Sequence, residues 1–140
     1  LKALIKNSDT KVYITEGHKE FDASKIGRFL YQLNNEAYEY EFINLATAGT
    51  IPEDCDILAI ISPEQDFYDA EVNAIINYIN NGGNMFVSTD VLSEKIEFTN
   101  LQKVLDLYGV ESENGYIFEC SANQYLANYN YVFMPQSPAA

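Results

Sequence analysis

Basic side chains are scarce: eight Lys and Arg stand against 21 Asp and Glu, for a formal charge of -13 and a pI near 4.2. A field of that sign repels duplex DNA, an RNA strand and an anionic membrane surface, so no nucleic-acid partner is expected. Histidine and cysteine are nearly absent. With His18 alone and two distant cysteines, Cys55 and Cys120, no tetrahedral Cys/His zinc site can be assembled, and no metal is expected. Two cysteines in a chain of 140 residues do not make a disulfide framework, and the plain reading is two small buried or half-buried side chains. No Walker A loop, G-x-G-x-x-G, H-E-x-x-H or G-x-S-x-G occurs, which removes P-loop NTPases and several hydrolase and dinucleotide-binding classes. The longest apolar run, Ile57 to Ile61, is far short of the roughly 20 residues of a membrane helix. Since the chain opens on Leu1, residues 1–140 read as one α/β domain excised from a longer protein.

What is present is an ordinary globular balance, 47% hydrophobic and 21% charged, so wholesale disorder is excluded. Lys11 to Thr15 reads as a strand closed by the turn Glu16-Gly17. Ser24 is a candidate N-cap for a helix with its stripe at Ile26, Phe29, Leu30 and Leu33, stopped at Asn34-Asn35. Glu39 to Leu45 alternates and suits a strand near a sheet edge. Ile57 to Ile61, closed by Ser62-Pro63, has the continuous apolar character of a strand buried on both faces. Val72, Ile75, Ile76 and Ile79 mark a second helix with an Asn81-Gly82-Gly83 stop, and Met85 to Ser88 reads as the next buried strand. Leu101, Val104, Leu105 and Tyr108 mark a third helix, ended by Gly109, and Tyr116 to Phe118 a last strand. Residues 123–140 do not read as a helix.

The order β-α-β-β-α-β-α-β predicts an α/β fold: an open, mostly parallel sheet with helices on both faces, flavodoxin-like or class I glutamine-amidotransferase-like. The strands near 57–61 and 84–88 are expected to be central and parallel. Ligands of such sheets bind beyond the carboxyl ends of the strands, which here carry Glu16, His18, Ser62 and Asp90. These four form the candidate crevice. Glu16, His18 and Asp90 could serve as acid or base and orienter, as turn, loop and capping groups, or as part of a non-catalytic pocket for a small ligand or peptide. Glu53, Asp54 and Asp56 invite a hard cation, but they precede a strand at the opposite edge and lack calcium-loop spacing, so a solvated loop is expected. Tyr125, Tyr129, Tyr131 and Phe133 take odd positions, so an extended segment would gather them on one face. That face either packs on the domain's own edge or forms an interaction surface for a partner.

Several segments, in order, resemble the gliding-motility-type (GldG-like) family of ABC-transporter auxiliary proteins. Val12 to Glu20 is similar to that family's opening strand followed by T-x-G-H-G-E. Asn44 to Thr47 with Ile51 to Leu58, Ser62-Pro63 with Asp66-Phe67, Gly82 to Val87 with Asp90, Asn100 to Val110, and Tyr129 to Pro135 continue the likeness over residues 10–135. The resemblance implies a non-catalytic binding or scaffolding domain, extracytoplasmic, in a protein anchored in the cell membrane. It implies permease and ATPase subunits as partners, and no cofactor. Lys19 departs from the glycine that commonly follows the histidine. Tyr68 stands where a Ser or Thr N-cap is frequent, so that helix is expected to take its cap from Asp66 or to start elsewhere. The alternative class is a small α/β enzyme or small-ligand-binding domain on an amidotransferase-like or flavodoxin-like scaffold. An amidotransferase would carry a cysteine at the sharp turn after a central strand, and Ser62-Pro63 and Thr89-Asp90 stand there instead.

Overall fold

The computed structural model describes residues 10–91, 96–113 and 115, and the backbone of two strands within 125–133. Its main sheet has four strands, β1 (Lys11–Thr15), β2 (Glu39–Ile43), β3 (Ile57–Ile61) and β4 (Asn84–Ser88), in the order β2-β1-β3-β4. Every pairing is parallel, with Val12 opposite both Tyr40 and Ile57, and Leu58 opposite Met85. Among the described residues four helices accompany the sheet: α1 (Gly27–Asn35), α2 (Leu45–Ala48), α3 (Asp69–Asn80) and α4 (Thr99–Asp106).

Alternation along the strands divides the core into two layers. Val12, Ile14, Ala59 and Ile61 face α1 through Ile26 and Leu30. Tyr13, Leu58 and Ile60 face α3 and α4 through Val72, Ile75, Leu101 and Val104. Helices therefore cover both faces, and the protein is a doubly wound α/β fold.

Four local expectations are corrected. β1 and β3 are the central pair, whereas β4 is the outer strand of the described sheet and leaves Phe86 47% exposed. An apolar run reports compatibility with burial, not the number of strands beside it. Ser24 does not cap α1: its own N–H and that of Lys25 donate to Asp22 Oδ1 at 2.9 and 3.2 Å, so Asp22 anchors the turn that feeds the helix. Leu45 lies outside β2 and opens α2, where Asn44 Oδ1 accepts the Thr47 N–H. Tyr108 lies past the end of α4 and is exposed.

Gly82 stops α3 at φ 90° and Gly109 ends the turn after α4 at φ 67°, as their positions in the sequence predict. The proposed strand at Tyr116 to Phe118, and Cys120, fall outside the described residues. The aromatic tail is not one continuous extended run: β5 (Tyr125–Leu126) pairs antiparallel with β6 (Tyr129–Phe133) as a separate two-stranded sheet. Tyr125 is in register with Phe133, and Tyr129, Tyr131 and Phe133 take alternate positions of β6.

The acidic loop before β3 is partly engaged. Asp54 accepts from Lys11 Nζ at 2.8 Å and from the Tyr13 hydroxyl at 3.1 Å, while Asp56 Oδ2 accepts the Lys11 N–H at 2.8 Å. The Lys11 ammonium holds the Asp54 carboxyl below the usual carboxylate range. Glu53 is exposed. Two of the three acids thus pin β1 to the loop before β3. No set of three His, Cys, Asp or Glu suited to a metal ion occurs among the described residues.

Candidate functional site

The chain runs from β1 outward to β2, returns past β1 to β3, and continues to β4, so strand order reverses between β1 and β3. Beyond the carboxyl ends of those two strands lies the position where such folds hold ligands. Here the position is filled by the protein's own side chains.

Gly17 makes the turn out of β1 with φ 120°, and a Cβ there would lie 2.7 Å from Asn44 Nδ2, so glycine is required on both counts. The turn drives His18 inward to 3% exposure. Its ring stacks on Phe67, with centroids 4.2 Å apart and planes inclined by 22°. Nε2 lies 3.0 Å from Glu71 Oε2, a close contact without hydrogen-bond geometry, and Nδ1 lies 3.7 Å from Glu20 Oε1. Both carboxylates are themselves buried, their side chains 3% exposed for Glu20 and 1% for Glu71. The acids approach opposite edges of the imidazole, so they do not converge on a point where a cation could sit.

Backbone groups complete the closure. The His18 carbonyl accepts the N–H groups of Glu64 and Gln65 at 2.9 and 3.1 Å, and the His18 N–H donates to Glu20 Oε2 at 2.6 Å. Glu71 reaches back to the start of α3, where Oε2 accepts the Tyr68 N–H at 2.8 Å. That bond is the glutamate half of a capping box, and it serves in place of the missing Ser or Thr cap. Asp66, expected to cap α3, instead caps α4: its two oxygens accept from Asn100 N at 2.8 Å and Leu101 N at 3.0 Å. Asn100 Nδ2 returns a bond to the Phe67 carbonyl at 2.7 Å. The loop from Ser62 to Tyr68 is therefore tied to β1 on one side and to α4 on the other.

Of the four candidate crevice residues, His18 and Ser62 belong to the buried ends of β1 and β3. Ser62 adopts φ 50° and donates its N–H to Ser88 O at 2.7 Å. Glu16 is exposed, with only its N–H engaged, to Ile43 O at 2.9 Å. Asp90 is exposed and lines a different cleft of about 920 Å³ beside α4. The four do not gather into one site. Sequence reasoning missed Glu20, Phe67 and Glu71, the groups that enclose His18. Glu20 was visible two residues on, but Glu71 carried only the signature of a first-turn helix acid.

Lys19 follows at φ 58° on the exposed side of this turn. A side chain in the left-handed region is strained there, and glycine is the residue that adopts it without cost. Lys19→Gly should raise stability by up to about 1 kcal/mol, the relieved left-handed strain less the greater chain entropy of glycine, read as an increase in Tm. An unchanged or lower Tm would mean the lysine side chain contributes more than its backbone costs.

Cys55 is buried and free; burial pushes its thiol up, away from thiolate character, and Sγ lies 3.6 Å from the Tyr78 hydroxyl.

The fold and the closed crevice define the class: a doubly wound α/β domain whose strand-end site is occupied from within. The chain matches, over residues 9–138, the family described as an ABC-type uncharacterized transport system, and it belongs to that family of transport auxiliary proteins. Comparison with curated proteins and with solved structures found no match. Membership associates the chain with the components of a membrane transport system, although no helix among the described residues is long and apolar enough to cross a bilayer.

Proposed function

We propose that this chain is a non-catalytic binding and scaffolding domain of its transport system. In this reading it is a gliding-motility-type module, one α/β domain of a longer membrane-anchored protein, held on the extracytoplasmic side. It contacts a permease and, through it, works with an ATPase subunit. The observation that carries the reading is the filled crevice: His18, Phe67, Glu20 and Glu71 occupy the ligand position themselves.

One feature favours the enzyme alternative. Ser62 directly follows a central strand with φ 50°, the sort of strained turn on which α/β enzymes mount a nucleophile. The surrounding chemistry opposes it. The residue after such a nucleophile supplies an oxyanion-stabilising N–H, and Pro63 has none. The next two amides, of Glu64 and Gln65, are already donated to the His18 carbonyl.

Co-purification of the protein with its permease is the direct test. Tyr129→Ser together with Tyr131→Ser should weaken it several-fold while leaving Tm within a few degrees, if the aromatic tail is the contact surface. Turnover of an amide or ester substrate that disappears in Ser62→Ala would overturn the non-catalytic reading.

A further inference from the structure

A second cleft, of about 550 Å³, runs along α3 and shares no lining residue with the filled crevice. One wall is the helix face Ala70, Asn73, Ala74 and Asn77 with Asn81 at its C-cap, and the other is the Gly49–Asp56 loop. Asn73, Asn77 and Asn81 are exposed, and among the described residues their side chains have no partner. Other asparagines are committed to the fold: Asn44 caps α2, Asn84 Nδ2 donates to Asp56 O, and Asn100 Nδ2 to Phe67 O. Asparagine is a poor helix former, so a row of them along α3 gains nothing for the helix itself.

We propose that this cleft docks an extended stretch of polypeptide, read through its backbone by the three asparagine amides. The proposal rests on the reading that the domain works by protein contact, and it names a surface for that contact. Four residues of α-helix rise roughly 6 Å, and two residues of extended chain advance roughly 6.6 Å. In an extended chain the N–H and C=O of every second residue point to the same side. A primary amide offers one acceptor and two donors, so each asparagine can bond both groups of one residue in alternate positions. From Ala70 to Asn81 the helix face is about 16 Å long, room for about five extended residues. Ala70 and Ala74 leave that room open.

The charged lining groups, Glu53 and Asp56, are both acidic, in a chain of net charge -13, so the occupant is neutral or basic. An oligosaccharide is disfavoured because the aromatic of the cleft offers no free stacking platform. The Tyr78 ring lies over Gly83, where a Cβ would come within 2.3 Å of it, and its hydroxyl accepts the Asn84 N–H at 3.1 Å.

The test uses the full ¹⁵N-labelled chain and three probes: the blocked pentapeptide acetyl-Val-Lys-Val-Lys-Val-amide, the same peptide N-methylated at its three valines, and cellopentaose. The first should shift the side-chain amide resonances of Asn73, Asn77 and Asn81. N-methylation should weaken binding about ten-fold, and so should Asn73→Ala with Asn77→Ala, without lowering Tm. Equal binding of the N-methylated peptide, shifts with cellopentaose alone, or no shift with any probe would overturn the proposal. Permease co-purification separates this from the broader reading. If the asparagine double variant still co-purifies while the pentapeptide fails to bind, the groove is wrong and scaffolding stands. If the unaltered protein does not co-purify, the scaffolding reading itself fails.

Discussion

Replacing His18 by alanine is expected to destabilise the fold by about 3–5 kcal/mol, the range for truncating a large, fully enclosed ring to alanine. The imidazole separates two carboxylates whose side chains are 3% and 1% exposed, at 3.7 Å from Glu20 and 3.0 Å from Glu71. Without the ring the two acids face each other across a void, and buried polar groups that lose the side chain between them are costly. Phe67, fully buried, also loses the aromatic face stacked on it at 4.2 Å. Two pieces of structure depend on that arrangement: Glu71 holds the first turn of α3, and Asp66, beside Phe67, holds the first turn of α4. The loss should be non-additive with Glu71→Gln. In the double variant the contact between position 71 and the ring is lost only once, so the pair should cost less than the sum of the singles. Chemical denaturation of the four proteins gives the cycle. A loss below about 1 kcal/mol for His18→Ala, typical of a surface change, would show that water readily takes the place of the imidazole.

How far the sequence alone reaches can be judged from individual residues. β1, β3 and α3 were legible because each buries a periodic face: the five-residue run Ile57–Ile61 is apolar throughout, and Val72 and Ile75 repeat at helical spacing. The parallel, doubly wound arrangement followed from the alternation of such segments. The outer position of β4 was not legible, since Met85, Phe86 and Val87 would suit a central strand equally well. The site divided in the same way. His18 stood out as the lone histidine after the first strand, yet its burial depends on Phe67 and Glu71, far along the chain. Asp66 sits where a cap for α3 belongs and serves α4 instead, 34 residues away. Local pattern reports the propensity of a segment. It does not report which distant backbone amide will reach a given carboxylate.

Ile60→Ala is expected to cost about 2–5 kcal/mol, the range for truncating a well-buried aliphatic side chain. Glu53→Ala should stay within about 0.5 kcal/mol, as exposed positions usually do. Ile60 is fully buried on a central strand, in the layer formed with Phe67, Val72, Ile75, Leu101 and Val104. Truncation leaves a void that neither wall can easily close. On one side β3 is fixed in register by β1 and β4. On the other, the loop carrying Phe67 is tied to His18 and to the start of α4. A rigid surround keeps the cavity open, which places the expected cost toward the upper part of that range. Glu53 is the control because it belongs to the same strand-entry loop as Asp54 and Asp56 but not to their bonds with Lys11. Denaturant midpoints for the two variants, with unchanged slopes, measure the difference. A comparable loss in both would mean that the acidic loop, rather than the layer beneath α3 and α4, stabilises the entry to β3. A loss near 1 kcal/mol at Ile60 would mean that the Phe67 loop relaxes into the void, and the closure around His18 would then be looser than its bonds imply.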